Sequence, residues 1–564
     1  LKTKIARPLV LASRTYGFQV SMLALALLVL LLPVGGLGTL ERAEVYFMTG
    51  ARSMVERSDW LIPFYRGNPF FDKPALTYWL VAGAYRVFGV KPEAARLVPL
   101  LSALLCLVVT IRLGTRLFDR RSALAGGVVL ATTLPFLNFG RIVMSDMPLT
   151  LCTTAAVAFV IRALSPRPPA LIYPVIGAVL GLGFLTKGPI ALVLPGLAIL
   201  PFVIGMRRQA SKPSMKAIAL ALCCFTATGL IWYGLVVARF GWEPLGYFFL
   251  RENLERFSGS TFDLGRGPGY YLLTYFAQGF PWSLFLPWAL LRAVNDKHKE
   301  DESARDTRRL LWALAFMVTP LSLSRGKLDY YLLPLYPLAA LVIGRQLVAA
   351  DWRRSERTFA RVVSALVCLM LLALPILSAL LPRDWRPGAA TQILTLLFVG
   401  VVVVALGPAI ARTHPNRVVA LLGVSMAIAF GTLVYVWQPA FRNGQPNRAI
   451  LKDVLREHAA NPAVRLALCE DPTHVQRDFI FSTRVETFES CDLAEIARSN
   501  EPFLLLLSDA ELLSIKDVPG TLRIKAYAHL PTRIFSFGGL REPPSPERLH
   551  LMANEALLAS ASAS

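Results

Sequence analysis

The sequence predicts an all-α polytopic membrane domain, residues 1–439, followed by a small C-terminal α/β soluble domain, residues 440–564. Three observations predict it. Of 564 residues, 55% are hydrophobic and only 17% charged, where a soluble domain carries about a quarter. The apolar residues cluster in runs of about 17 to 24, the length that crosses a bilayer core. After residue 440 the texture changes to short apolar runs between polar helical stretches.

Hydropathy places candidate spans at 17–39, 96–113, 122–139, 147–164, 170–186, 188–206, 216–238, 275–292, 308–323, 330–349, 359–381, 390–411 and 417–437, about thirteen transmembrane helices in all. The two at 170–206, joined through Lys187 and Gly188, can also be read as one long helix. That reading changes the count by one and moves the C-terminus to the other side. The first span lacks a small-residue cleavage signature and reads as a retained anchor.

Orientation follows the basic residues. Lys2, Lys4, Arg7 and Arg14 precede the first span, and Arg116, Arg120 and Arg121 follow the second. Arg207, Arg208, Lys212 and Lys216 divide the sixth from the seventh. Lys297, Lys299, Arg305, Arg308 and Arg309 follow the eighth, and Arg353, Arg354, Arg357 and Arg361 the tenth. With an odd count these loops alternate onto one side. They are then cytoplasmic in a bacterial inner membrane, and the C-terminal domain is periplasmic. The net charge of +22 is therefore topological, facing anionic headgroups, and no nucleic-acid motif accompanies it.

Two outward loops are long and carry both charge signs. In 39–89, residues 42–57 and 75–88 are amphipathic with helical period, suited to the membrane interface. Segment 239–280 contains Arg251, Glu252, Glu255 and Arg256. Arg251 and Glu255 are four apart, so an ordinary helix-surface pair accounts for them equally well. Shorter outward segments hold Arg141 and Asp146, Lys187, and Arg325, Lys327 and Asp329. Asp146 begins an apolar span, where a plain helix cap is the alternative. All six histidines lie in cytoplasmic loops or the C-terminal domain, which argues against a His triad or His-rich metal site among the membrane helices. Cations, carboxylates and tyrosines remain. They suit a substrate of sugar and phosphate.

In order along the chain stand ERAEVYF, FFDKP, an Asp opening an apolar span, LTKGP, ERF and GKLDYYLLP. This set resembles the GT-C-fold lipid-to-lipid glycosyltransferases of bacteria, the aminoarabinose transferases of lipid A among them, which are related to protein O-mannosyltransferases. The likeness covers roughly residues 17–350 and is more specific for the superfamily than for the sugar. It implies a GT-C-type membrane domain, an undecaprenyl-phosphate-linked sugar donor and a lipid A phosphate acceptor, joined at the outer membrane surface by a monomer. Polyprenyl and acyl tails keep both substrates in the bilayer. The resemblance assigns the carrier phosphate to Lys73, Arg256 and Tyr331, with Asp72 alongside. It assigns the acceptor phosphate to Arg141, Lys187 and Lys327. Sugar orientation and charge stabilisation fall to Glu44, Asp146 and position 43.

Position 43 departs from the family. An adjacent Asp–Glu pair is usual there, and this chain has Ala43 and Glu44. Natural drift and a deliberate replacement both account for the alanine. The expectation is a chain that binds its substrates and transfers poorly. A carboxylate pair can hold a divalent metal, and its reduction to one weakens that expectation; no other cofactor is implied. A transporter or flippase is the rival reading. Transporters tend to place ions at broken helices in mid-membrane, whereas here they gather at the outward ends.

Five of the seven cysteines lie in apolar spans; Cys469 and Cys491 lie in the C-terminal domain, where pairing and free thiols are both open. That domain's runs VRLALC, DFIFST, PFLLLLS and TLRIKAY read as strands, and 447–459 and 492–499 as helices. The tail after Arg541 reads as loosely ordered.

Overall fold

The computed structural model describes residues 42–65, 68–206, 210–259, 265–295, 301–348, 352–380 and 415–432, isolated helical residues around 392–400 and at 456, and five C-terminal strands. The span at 17–39, most of 390–411, the Cys469 and Cys491 pair, the DFIFST run and most of the two C-terminal helical stretches lie outside the described residues.

The amphipathic segments form as their periodicity predicts. Helix α1 is Arg42–Arg57 and α2 is Leu76–Phe88, with a two-residue hairpin between them, β1 Phe64–Tyr65 against β2 Asn68–Pro69. Then come α3 Pro92–Leu117, α4 Arg120–Ala131, α5 Leu134–Phe139, α6 Asp146–Ala163, α7 Ile172–Lys187, α8 Ile190–Met206, α9 Met215–Gly229 and α10 Ile231–Phe240. Residues Tyr247–Glu255 follow the short α11, Glu243–Gly246, as a π-helix. The later helices are α12 Tyr270–Gln278, α13 Phe285–Asn295, α14 Glu302–Leu323, α15 Tyr336–Val348, α16 Arg354–Leu380 and α17 Pro415–Thr432. A 3₁₀ segment, Asp329–Leu335, leads into α15.

Helix starts follow ordinary capping chemistry. Asp119 accepts from the backbone N–H of Arg121 at 2.7 Å and of Ser122 at 3.0 Å. Asp301 caps α14 through Ala304 N–H at 2.7 Å. Such caps satisfy amides that a first turn leaves unpaired.

Helices α4 and α15 form the centre and are buried along most of their length. Their backbones touch at glycines: a Cβ on Gly344 would lie 2.2 Å from the Gly126 nitrogen. Small residues allow such close approach where lipid gives no hydrophobic drive between helices. The surrounding helices turn large apolar side chains outward. Leu101, Leu105 and Val108 of α3, Leu220 and Leu222 of α9, and Leu366 and Leu369 of α16 are all exposed. Exposed apolar surface on this scale marks contact with lipid, and the chain is a multi-pass membrane protein.

Among the described residues, Pro92–Leu117, Asp146–Ala163 and Asp329–Val348 are long and apolar enough to cross a membrane, and α9 with α10 adds a fourth if its 45° bend lies within one span. Predicted spans 308–323 and 359–381 fall on the continuous helices α14 and α16, the second described as far as Leu380, whereas others are shorter or broken. Predicted span 122–139 is divided into α4 and α5, and 275–292 into α12 and α13 with a 3₁₀ turn between them. The 170–206 stretch is two helices. Gly188 adopts φ +70°, and a Cβ on Gly183 would lie 3.3 Å from that of Ala191. Eight residues of straight helix would separate these positions by about 12 Å, so the chain doubles back at Gly188. Only glycine fits there, because the position needs a positive φ and a Cβ would meet the Phe248 ring at 2.7 Å.

The C-terminal strands are β3 Arg465–Leu468, β4 Thr487–Phe488, β5 Phe503–Ser508, β6 Arg523–His529 and β7 Arg548–Ala553. They form one mixed sheet in the order β4-β3-β5-β7-β6. Strand β3 runs parallel to β4 and β5, and β7 antiparallel to β5 and β6. Runs VRLALC, PFLLLLS and TLRIKAY supply β3, β5 and β6. The loosely ordered tail needs correction: RLHLMA within it is β7, paired on both sides. Its alternation of apolar and polar residues carries the strand pattern, which the surrounding Pro, Ser and Ala obscure.

Candidate active site

The segments that carry the motifs meet at one end of the helix bundle. FFDKP lies between β2 and α2. Its Lys73 Nζ donates to Glu252 Oε2 at 2.7 Å and to the Asp72 carbonyl at 2.7 Å. Glu252 belongs to the π-helix, whose wide turn is held partly by Asn253 donating to the Phe248 carbonyl at 2.8 Å. π-Helical turns are rare and recur at functional sites. Arg256 Nη2 reaches the same carboxylate, 2.9 Å from Oε2 and 3.2 Å from Oε1. One buried carboxylate thus gathers two cations, Arg256 from four residues away and Lys73 from 179 residues away. The Tyr247 hydroxyl donates to Asp72 at 3.3 Å. Arg251, for which spacing left a simple surface pair as an equal alternative, lies over the Tyr247 ring at 5.3 Å.

Burial, with Glu252 nearby, pushes the Asp72 carboxyl above its ordinary range. Burial also lowers the Lys73 ammonium, against the pull of Glu252. Low dielectric disfavours both charges, so an incoming anion would reinforce the charged lysine.

The row continues through Tyr331, which interacts with the Arg256 side chain. Lys187 Nζ lies 4.7 Å from the centre of the Tyr331 ring and 5.4 Å from that of Tyr330. It donates to Asp146 Oδ1 at 2.5 Å. Asp146 is the first residue of α6 and Lys187 the last of α7. Asp146 is therefore not a plain helix cap. Ser145 occupies the cap position, and the Asp146 side chain takes the lysine.

Glu44 has a separate set of partners. It is 1% exposed and accepts from Arg96 Nε at 2.9 Å, Arg96 Nη2 at 3.0 Å and the Val143 backbone N–H at 3.1 Å. It thereby ties α1 to α3 and to the segment that leads into Asp146. Arg141 is buried, with its guanidinium 5.0 Å from the centre of the Phe430 ring. Lys327 turns back to the Ser324 carbonyl. Its own carbonyl accepts from Arg266 at 2.7 Å, and the neighbouring turn pairs with 256–257 through Arg325 N–H to the Phe257 carbonyl and Gly326 N–H to the Arg256 carbonyl.

The structure thus brings together Asp72, Lys73, Arg256, Tyr331, Lys187 and Asp146. Glu44, Arg141 and Lys327 are held around them by contacts within the protein. Glu252 was not among the sequence candidates, although its four-residue spacing from Arg256 was legible. Arg96 was signalled only by a cation inside an apolar run. Among the described residues no group of three His, Cys, Asp or Glu side chains converges as a metal site would require.

Residues 72–232 match the family model described as dolichyl-phosphate-mannose-protein mannosyltransferase. Two curated relatives are named undecaprenyl phosphate-alpha-4-amino-4-deoxy-L-arabinose arabinosyl transferase. The one from Enterobacter sp. (strain 638) is 28% identical over 62% of this chain and 63% of its own length. The one from Yersinia pestis (strain Pestoides F) is 30% identical over 56% of each. The chain thus spans less than two thirds of the curated relatives it matches. The crystal structure of ArnT from Cupriavidus metallidurans bound to undecaprenyl phosphate superposes with a TM-score of 0.75 at 19% identity, covering 95% of this chain and 98% of that one. The apo structure of the same protein gives 0.72, covering 96% and 99%. At that identity the likeness establishes the fold. The resemblance drawn from the motifs therefore holds: the chain has the GT-C fold and is similar to the lipid-to-lipid glycosyltransferases that share it.

Proposed function

We propose that the chain transfers 4-amino-4-deoxy-L-arabinose from undecaprenyl phosphate to a phosphate of lipid A at the periplasmic face of a bacterial inner membrane, a change that lowers outer-membrane negative charge and resists cationic peptides. The observation that carries this reading is the row from Lys73 through Glu252, Arg256, Tyr331 and Lys187 to Asp146. It alternates cations with carboxylates and a phenol at one end of a lipid-facing bundle. Residues at one end of the row hold a phosphate, and those at the other hold a sugar or a second phosphate.

In this reading the carrier phosphate sits against Lys73 and Arg256. The bond between the anomeric carbon and the carrier phosphate oxygen breaks, and its electron pair leaves with undecaprenyl phosphate. An oxygen of the acceptor phosphate forms the new bond to that carbon. The acceptor is already ionised near neutral pH, so positioning matters more than deprotonation. Charge develops on the leaving phosphate, and fixed cations there lower the barrier. Asp146 and Lys187 orient the sugar amine and the acceptor phosphate. Glu44 acts through its struts to Arg96 and Val143. Position 43 is where the family's second carboxylate would help to orient the sugar and stabilise positive charge at the anomeric carbon, and Ala43 lacks it.

Mass spectrometry of lipid A from cells expressing the chain tests this. With Ala43→Asp the sugar is expected on lipid A; with Ala43 much less is expected. Equal modification by both chains would remove position 43 from the chemistry and leave Asp146 as the principal carboxylate. The family model's description favours a second reading, a related transferase that glycosylates protein. It would leave lipid A unchanged and label protein instead.

The periplasmic orientation has its own test. A cysteine introduced in the C-terminal tail is expected to react with a membrane-impermeant thiol reagent in intact spheroplasts. Labelling only after lysis would reverse the orientation.

A further inference from the structure

Among the described residues, Thr49 of α1 and Thr77, Tyr78 and Tyr85 of α2 bury hydroxyls with no hydrogen-bond partner. Buried polar groups are nearly always satisfied, so an orphaned hydroxyl calls for an explanation, a bound water, ion or ligand among them. Tyr78 is distinguished by its place. It lies in the first turn of α2, five residues after Lys73, and is 0% exposed. Its ring is fixed from two sides. Phe47 packs at 4.8 Å between ring centres, and a Cβ on Gly50 would come within 2.8 Å of Tyr78 Cε1. Gly50 is thus the space that seats the ring. The carboxylates of Asp72 and Glu252 act on the phenol, and burial foremost, then those charges, holds it well above the ordinary tyrosine range. The hydroxyl therefore keeps its proton and is a hydrogen-bond donor.

We infer that the Tyr78 hydroxyl is a further donor-binding group, giving its hydrogen bond to the carrier phosphate that Lys73 and Arg256 hold. The inference rests on the carrier-binding reading above and extends it to a residue outside the charged row. A phosphate oxygen accepts from a neutral phenol without introducing another charge, and Tyr78 stands on the helix that Lys73 leads into. It acts as a binding residue and takes no proton during the transfer.

The physics separates this role from a structural one. An unpaired buried hydroxyl weakens a fold, and its removal with the ring kept is neutral or stabilising. A hydrogen bond to a charged ligand is lost with the same change. Thermal unfolding of the purified full chain, titrated with undecaprenyl phosphate, reads both. The Tyr78→Phe chain is expected to melt at the parent temperature or above it without ligand. Its affinity for undecaprenyl phosphate is expected to fall about tenfold. Parent-like affinity in Tyr78→Phe would overturn the inference while leaving the carrier reading intact. A ligand-free Tyr78→Phe chain clearly less stable than the parent would also overturn it, because the hydroxyl would then have a partner within the protein. A parent chain that binds no undecaprenyl phosphate would overturn the carrier reading and this inference together.

Discussion

In an Ala43→Asp background, replacing Lys73 or Arg256 with Ala is expected to lower transfer to lipid A about a hundredfold or more, with folding intact. A cation fixed at a developing phosphate charge is worth several kcal/mol in a water-poor site, about 1.4 kcal/mol for each factor of ten. The geometry explains why the fold should survive either change. Both cations share Glu252, so the buried carboxylate keeps one partner when the other is removed. A carboxylate left with no partner would be far more disruptive. Transfer rates in isolated membranes and thermal unfolding of the purified variants check the two halves. Near-parental transfer by both variants would remove these residues from the carrier site. Loss in only one would assign the phosphate to that residue alone.

Replacing Glu44 with Gln or Leu is expected to destabilise the chain by about 3–5 kcal/mol, the usual effect of leaving a buried ion without its partner. Arg96 is 2% exposed; it would lose the carboxylate's charge and one of these two acceptors in Glu44→Gln, and both acceptors in Glu44→Leu. The Val143 amide would lose its acceptor in Glu44→Leu. Combining Glu44→Leu with Arg96→Met should restore part of the loss, since an apolar pair of similar volume often replaces a buried ion pair without penalty. Thermal unfolding of the single and double variants measures this. A Glu44→Gln chain as stable as its parent, yet inactive, would instead mark Glu44 as a group that touches substrate.

Much of this arrangement is legible in the sequence because it is local. Amphipathic period predicts α1 and α2 almost to the residue: 42–57 and 75–88 against Arg42–Arg57 and Leu76–Phe88. Apolar run length and basic loops announce a membrane protein. The order of short motifs identifies the segments that carry charge. Lys73, Arg256, Tyr331, Lys187 and Asp146 stand out this way, on motifs that resemble the family's.

Partnership is not local. No spacing pairs Lys73 with Glu252, or Asp146 with Lys187 across 41 positions. Nor does spacing reveal that Glu44 is committed to Arg96 and Val143 rather than open to a ligand. Helix breaks such as that between α4 and α5 escape run-length counting, because hydropathy averages over a window and is blind to one turn. The sequence by itself determined the membrane class, the amphipathic loop helices and the residue types available for chemistry, since these depend on composition and period. Only the tertiary structure decided which charges share a carboxylate, which are sealed in struts and which buried hydroxyls lack a partner among the described residues, because burial and pairing depend on contacts between segments far apart in the chain.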